Sequence, residues 1–353
     1  MKRLVILALA ILSFGALCET GRVGRTAQAL SLDGTCTLED FGAVGDGVTS
    51  DQAAYDSARV ACGAGTCKTL LLGARTYLVA PVNTAPWPMG CSIMGQGPSS
   101  ILRTTSNTSV VLLADPLLAN RQKSTQLSSF AIEGNSTGAF QNGIKVGYFG
   151  ADGASKVRIS NITARHLGGF GIGVCYGDDI AHGPQIETSH VHNSGTGYSL
   201  CQSTMNNSSA VACTLGIAAG GNVTVTGGIV RGCVTGTRIT SGGNDSHGAF
   251  TGVQFLHNTI AVRADAIRNG HLFSGCLFYE GAMQLDPAAT SPIVFEGGLM
   301  DLTTYTLAGP SRFVGVTMNT AYYQGHTATA RTDFVNVRKL DGTVPAWVGS
   351  IPE

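Results

Sequence analysis

The chain has 353 residues, with 22 basic and 22 acidic side chains and a hydrophobic fraction of 43%. This balanced charge creates no overall field that would attract nucleic acid or an anionic membrane surface, so neither is an expected partner. The hydrophobic fraction is ordinary for a folded protein, which argues against a disordered chain. The length suits a single solenoid of stacked coils and does not require two domains.

The N-terminus has the pattern of an export signal. Residues 1–3 are Met-Lys-Arg, and Leu4–Leu12 is a nearly uninterrupted apolar run. This run is shorter than the roughly 20 residues that a membrane-spanning helix needs. Cleavage after Cys18 and cleavage after Ala29 both satisfy the small-x-small rule for signal peptides. We therefore expect a secreted, extracellular protein without a membrane anchor.

The chain contains ten cysteines. In an exported chain this number indicates disulfide bonds. The expected pairs are Cys62–Cys67, which flank a four-residue loop, and then Cys36–Cys91 and Cys201–Cys213. If Cys18 is removed with the signal, an odd number remains, so at least one free thiol is expected to lie buried within the fold.

From about Leu127 onward, short runs of alternating apolar residues lead to Gly-rich bends and then to a second apolar pair. The closing residues are Val174, Leu200, Ile239, Val262, Leu285 and Leu307, at intervals of 26, 39, 23, 23 and 22 residues. The closing positions mix Leu, Ile and Val, which disfavours a leucine-rich repeat and favours a parallel β-helix. The 39-residue interval is interpreted as one coil with an inserted loop at Gln202–Ala219.

The region before these repeats predicts a cap. Thr49, Ser50 and Asp51 supply N-cap oxygens for a helix at about Gln52–Ala61. The segments Asp40–Asp51, Leu70–Val79 and Ile93–Gly97 together resemble the opening of the pectate-lyase-like superfamily. That group includes polysaccharide lyases, polygalacturonase-type hydrolases, mannuronan epimerases and phage tailspikes.

The resemblance covers about residues 38–103 and implies an all-β, single-stranded right-handed parallel β-helix with a short N-terminal capping helix. The predicted division is a signal peptide at 1–18, or as far as 29, a β-helix domain at 30–325, and a C-terminal tail or cap at 326–353. The N-terminal cap of the β-helix is expected at about 36–103. We expect a monomer, with a trimer as the alternative that the tailspike resemblance implies.

One candidate site follows from the coil intervals. Offsets of 26 and then 39 residues place His166, His192 and Arg231 in nearly the same column of the stack. A His side chain can act as a base near neutral pH, and an Arg side chain can neutralise a carboxylate by paired hydrogen bonds. These are two components of a β-elimination site, which removes the proton beside a uronate carboxylate. Chance alignment of turn residues is the alternative.

A second candidate is the carboxylate pair Asp178-Asp179, since glycoside hydrolysis requires two carboxyl groups. With His182 and Gly183 it resembles the Asp-Asp and Gly-His-Gly elements of polygalacturonase-type hydrolases. The Asn-Thr-Asp and Arg-Ile-Lys elements of that family are missing from the expected order. A solvated turn is the alternative, and calcium is the one cofactor that such carboxylates suggest.

Further residues extend these sites. Tyr198 is a candidate proton donor or sugar-stacking platform, and His190 lies on the same strand face as His192. No third ligand joins the two histidines at a suitable spacing, so no metal centre is expected. The candidate substrate-binding residues are Arg165, His182, His190 and Arg238.

Together these features predict a carbohydrate-active protein whose partner is a polysaccharide. The first hypothesis is a lyase or related enzyme acting on a uronate-containing polymer. The second is a glycoside hydrolase of polygalacturonase type, and the third is a non-catalytic glycan-binding or adhesin β-helix.

Overall fold

The computed structural model describes residues 34–81, 85–113, 124–147, 157–174, 184–240, 247–265, 270–286, 291–319, 327–328, 331–340, 342 and 350–351. The predicted signal peptide lies outside these residues. None of the helices in the described ranges is both long enough and apolar enough to cross a membrane.

The chain winds into a parallel β-solenoid in which a typical coil has three strands, which define a first, a second and a third face. Within the described residues, the first and second faces form a 25-stranded sheet, and the third face is a 10-stranded sheet. Two long strands, Thr125–Glu133 and Val157–Arg165, run through both the first and the second face.

The remaining first-face strands are Thr35–Thr37, Thr69–Leu72, Ser92–Gly95, Gln185–Glu187, Ser203–Asn206, Val223–Thr226, Gly248–Thr251, His271–Ser274, Ile293–Glu296, Ser311–Val314, Thr332–Val335 and the antiparallel Ser350–Ile351. The second-face strands are Asp46–Ser50, Thr76–Leu78, Ile101–Arg103, His190–His192, Ser209–Val211, Ile229–Arg231, Gln254–Leu256, Leu277–Tyr279, Leu299–Asp301, Thr317–Met318 and Arg338–Lys339. The third-face strands are Ser109–Leu113, Asn142–Val146, Phe170–Gly173, Thr196–Leu200, Leu215–Gly220, Thr235–Thr240, Ile260–Ala264, Ala282–Leu285, Thr304–Leu307 and Thr327–Ala328. The predicted all-β parallel β-helix is confirmed.

The corner between the first and second faces is made by one residue with positive φ in successive coils. These residues are Ser129, Asn161, Thr188, Asn207, Gly227, Gly252, Gly275, Gly297, Gly315 and Asn336. Glycine adopts this left-handed conformation without a steric penalty, and Asn is the residue that tolerates it next best. Because the same backbone turn recurs in each coil, strands on both sides of the corner stay in register.

The 39-residue interval contains two coils, so the predicted insertion at Gln202–Ala219 is wrong. Strands at Ser203–Asn206, Ser209–Val211 and Leu215–Gly220 form a complete coil of their own. Leu200 pairs with Ala219, and Ala219 pairs with Ile239. This coil buries small residues such as Ala210 and Ala219. These small side chains do not give the recurring large apolar residues from which the other coils were predicted.

The N-terminal end of the solenoid is covered by helix α1, Gln52–Gly63, which begins where predicted and ends two residues later. Tyr55 packs its ring 5.3 Å from Trp87, and its hydroxyl donates a hydrogen bond to the Val110 carbonyl. Asp51 does not cap the helix with its side chain, contrary to prediction. Its buried carboxylate instead accepts hydrogen bonds from the backbone N–H groups of Val44, Gly45 and Leu78, which ties the entry loop to the next coil.

The disulfides connect residues that stacking brings together. Cys36 bonds Cys67, with Cα atoms 5.9 Å apart, and Cys62 bonds Cys91, with Cα atoms 5.5 Å apart. The predicted pairs Cys62–Cys67 and Cys36–Cys91 are therefore wrong, because adjacency across coils overrides adjacency along the chain. Cys201 is also disulfide-bonded, whereas Cys213 is free, so the pair Cys201–Cys213 is wrong as well.

Buried free thiols were expected and are present. Cys213, Cys233 and Cys276 are free and buried.

Near the C-terminal end of the described residues, the strands Thr332–Val335 and Arg338–Lys339 continue the parallel stack. The solenoid therefore extends past residue 325, where the sequence suggested that it ends.

A column of stacked phenylalanines fills the interior of the C-terminal coils. Phe250, Phe273, Phe295, Phe313 and Phe334 follow one another with ring centroids 4.6, 5.1, 5.0 and 5.1 Å apart. The spacing matches the separation of hydrogen-bonded strands, about 4.8 Å. Each of the three inner rings therefore packs against the rings of the coils above and below it.

Phe295→Ala is expected to reduce stability by about 3–5 kcal/mol, because it removes a fully buried ring between two others. The change would appear as a lower guanidinium midpoint followed by circular dichroism. Phe295→Leu should lose less, and Leu340→Ala at an exposed position should change little. Equal midpoints for Phe295→Ala and the native chain would show that the aromatic column does not contribute to stability.

Candidate functional site

The second face carries a continuous outward column of charged and imidazole side chains. The register pairs Arg103 with Glu133, Glu133 with Arg165, Arg165 with His192, His192 with Val211, and Val211 with Arg231. Residues that are adjacent in this column are about 4.8 Å apart along the solenoid axis. Five charged or imidazole side chains, with Val211 between the last two, thus line one surface strip that spans six coils and is here called the second-face column.

The N-terminal half of the second-face column is an ion-pair ladder. Arg103 donates hydrogen bonds from Nε (3.0 Å) and Nη2 (2.8 Å) to Glu133 Oε2. Arg165 Nε lies 3.4 Å from Glu133 Oε1 on the other side. Glu133 supplies one negative charge against two guanidinium groups, so this group of three has a net positive charge. It can attract an anionic ligand.

His192 follows Arg165 in the column and is half-buried. Burial, and then the nearby His190, Arg165 and His166, lower the pKa of His192 below its usual value of 6.5. Each of these neighbours disfavours the imidazolium cation. At neutral pH the ring is therefore unprotonated and can accept a proton.

The predicted alignment of His166 with His192 is off by one residue. Arg165 is the residue opposite His192, and His166 is at the following corner with a φ of 57°. His166 donates its backbone N–H to the carbonyl of His192 at 3.2 Å. Arg231 does share the column with His192, but Val211 lies between them. Val211 belongs to the coil at residues 203–220, which the sequence pattern did not reveal. Their separation is roughly 10 Å, or two coils.

His190 shares the strand and outward side of His192, with the ring centroids 6.4 Å apart. Its Nδ1 is 2.7 Å from the Ser209 hydroxyl of the next coil. Among the described residues, the only cluster of three or more potential metal ligands consists of Cys62, Cys67 and Cys91. No third ligand therefore joins the two histidines in that part of the chain.

Tyr198 lies inside the solenoid, which is a correction to its predicted role. Its side chain is 0% exposed, and its hydroxyl donates to the carbonyl of Ser189 or of Ser209, at 2.7 and 3.1 Å. Burial raises the pKa of Tyr198 well above its usual value. A phenol in this position cannot touch a polysaccharide at the surface, so it is neither a proton donor nor a stacking platform for one.

Arg238 belongs to the third face and is separated from the second-face column. It pairs in register with Arg263, and both guanidinium groups contact Asp265. The predicted inclusion of Arg238 in the same substrate surface as His192 is therefore wrong. The sequence pattern placed it near a strand end, but gave no information about which face that strand joins.

The predicted carboxylate pair and its neighbour, Asp178, Asp179 and His182, lie outside the described residues. The calcium expectation depends on the same segment. Both the hydrolase site and the calcium site therefore stay predictions.

Arg103 and Glu133 belong to the second-face column but were not among the site residues predicted from the sequence. The coil from Arg103 to Glu133 spans 30 residues, whereas that from His190 to Ser209 spans 19. A fixed period cannot align residues across such unequal coils. The usable signal is the left-handed corner residue, which marks the same point in each coil regardless of loop length.

Replacing Arg165 with Gln is expected to raise the pKa of His192, because it removes a neighbouring positive charge that disfavours the imidazolium. The imidazole titration can be followed by NMR. Arg238→Gln, on the third face, should leave the His192 midpoint unchanged. A midpoint that does not move in Arg165→Gln would show that these two groups are not electrostatically coupled.

No protein-family model matches the chain, and comparison with curated proteins gives no significant match. Several solved structures are similar in fold. The A-module of the Azotobacter vinelandii mannuronan C-5 epimerase AlgE6 matches with a TM-score of 0.53 and 15% identity, covering 88% of this chain and 99% of that one. Bacteriophage phi29 gene product 12 matches with a TM-score of 0.57 and 13% identity, covering 94% of this chain and 54% of that one.

At these identities the similarity concerns the fold alone. The chain has a right-handed parallel β-helix fold, as the resemblance at residues 38–103 implied.

Proposed function

We propose that this protein acts on a uronate-containing polysaccharide by removing the proton at C5 of a sugar residue, as a lyase or a related enzyme. The observation that carries the proposal is the position of the half-buried imidazole of His192 beside Arg165 in the adjacent coil, where its pKa is lowered. A neutral base and a fixed cation next to each other are what abstraction of a proton beside a carboxylate requires.

In this proposal Arg165 binds the uronate carboxylate and withdraws electron density from C5. His192 accepts the C5 proton, and the electrons of the broken C–H bond move into the carboxylate as an enolate. Collapse of the enolate forms the C4–C5 double bond and expels the glycosidic oxygen at C4, which takes a proton from water. Arg165 therefore takes the neutralising role that the sequence suggested for Arg231.

Arg231 lies two coils further along the second-face column and is exposed. A polymer that runs parallel to the solenoid axis would place the carboxylate of a neighbouring sugar there. Beyond Arg231 the column continues with Leu256 and the partly exposed Tyr279. Such a strip can contact several sugars of a chain at once.

The fold comparison and the N-terminal export pattern are consistent with this function. One structure of the same fold is an enzyme named for C5 epimerisation of mannuronan, and epimerisation begins with the same proton removal as elimination. Export through the N-terminal signal would bring the protein to extracellular polymers, where we propose that it acts. We propose a monomer, because a single chain supplies the whole second-face column.

The test is to incubate the protein with polygalacturonate, pectin, alginate and neutral glycans, with and without calcium. Ultraviolet absorbance, reducing ends and C5 deuterium uptake are recorded together. Absorbance on a polyuronate supports the lyase, and deuterium uptake without absorbance supports the epimerase. Reducing ends alone would favour hydrolysis at the aspartate pair. If binding occurs without any product, the protein is a glycan binder and the proposal fails.

His192→Gln is expected to lower kcat/KM by about 10²–10⁴-fold on the active polymer, because it removes the base but keeps a polar side chain. In the native protein kcat/KM should fall as the pH drops through the lowered pKa of His192, below 6.5. His247→Gln is a matched control at an exposed position outside the column. Retention of activity in His192→Gln would remove His192 as the base.

A further inference from the structure

Two of the free cysteines occupy equivalent positions in successive coils. Val211 pairs with Arg231, and Leu215 pairs with Thr235. Cys213 and Cys233 are the residues midway between these pairs, at the corner between the second and third faces. Neighbouring parallel strands are about 4.8 Å apart, within the 4.4–6.8 Å range of Cα separations that a disulfide spans.

Both side chains point inward to the same spot. Cys213 is 3% exposed and Cys233 is 2% exposed. Each thiol shifts the pKa of the other, downward for Cys213 and upward for Cys233. Cys213 Sγ also lies 3.5 Å from the Val211 carbonyl, and Cys233 Sγ lies 3.6 Å from that of Arg231. The two thiols therefore lie one coil apart on the same inner side of the corner, with matching backbone environments.

We propose that Cys213 and Cys233 are a site of oxidative modification and form a further disulfide, which links the two coils that carry Val211 and Arg231. The site needs no rearrangement of the backbone, because the ladder already holds the two residues opposite each other. The neighbouring Cys233 lowers the pKa of the Cys213 thiol, which makes Cys213 the attacking sulfur.

The oxidant is a small peroxide such as hydrogen peroxide, since the buried thiols leave no room for a larger molecule. The Cys213 thiolate attacks one oxygen of the peroxide, which breaks the O–O bond, forms a sulfenic acid and releases hydroxide. Cys233 then loses its proton and attacks the Cys213 sulfur, which forms the protein disulfide and releases the sulfenic oxygen as water. Two thiols and one peroxide thus give one disulfide and two waters.

The third free cysteine serves as an internal comparison. Cys276 is also buried, at the corner between the first and second faces, and burial raises the pKa of its thiol to about 11. Val253 and Gly298 occupy the equivalent positions in the adjacent coils. With no cysteine in either neighbouring coil at that corner, Cys276 is expected to stay a thiol under conditions that oxidise Cys213 and Cys233.

The experiment is peptide mapping of the full-length protein after incubation with hydrogen peroxide, thiol alkylation in denaturant and trypsin digestion without reduction. Cleavage after Arg231 and Arg238 releases Gly232–Arg238, in which Cys233 is the only cysteine. This peptide should be lost in its alkylated form and recovered linked to the fragment His166–Arg231. The peptide with Cys276 should remain alkylated.

Because His166–Arg231 contains other cysteines, Cys213→Ala identifies the partner: it should restore the alkylated Gly232–Arg238 peptide. Cys213→Ser serves the same purpose if the alanine variant does not fold. Cys276→Ala should leave the cross-link intact. The proposal is overturned if Gly232–Arg238 is alkylated as fully as the Cys276 peptide, or if its cross-link persists without Cys213. Neither outcome depends on whether the protein acts on a polysaccharide.

Discussion

Hydrogen bonding between successive coils is the interaction on which the rest of this structure depends. Apart from the antiparallel Ser350–Ile351, strands of the first and second faces pair in parallel with those of the neighbouring coils, which fixes side chains of distant sequence at a regular spacing. Inside the solenoid this regularity stacks Phe273 on Phe295. On the surface it places Arg165 beside His192. The buried core and the candidate site are thus two results of one constraint.

The same constraint explains the chemical character of the second-face column. A half-buried imidazole beside a guanidinium has a lowered pKa, and Glu133 neutralises only one of the two arginines beside it. If the polar residues were scattered, solvent would screen each one separately. Because they stand in line, the neutral base and the excess positive charge adjoin each other, which suits an anionic polymer more than an isolated sugar.

The fold could be predicted from the sequence because alternating apolar residues and bends recur through most coils, and because the opening segments resemble a known superfamily. The site could be predicted only in part. His192 and Arg231 were found, but Arg165 was assigned only to substrate binding, and Glu133 was not considered. The reason is physical: coil lengths vary with the loops, and one coil buries Ala210 and Ala219 in place of large apolar residues. Register is set by backbone pairing, which leaves no fixed period in the sequence.

The complete coil at residues 203–220 has a consequence for how such a surface can change. In a solenoid each coil contacts only its neighbours, so a coil can be gained or lost as a unit. Removal of this one would bring Arg231 directly alongside His192, and duplication would move it one step further away. The distance between charged groups along the column therefore changes only in steps of one strand spacing. Under the proposed function, gain or loss of a coil would therefore change which spacing of carboxylates along a polymer the protein matches.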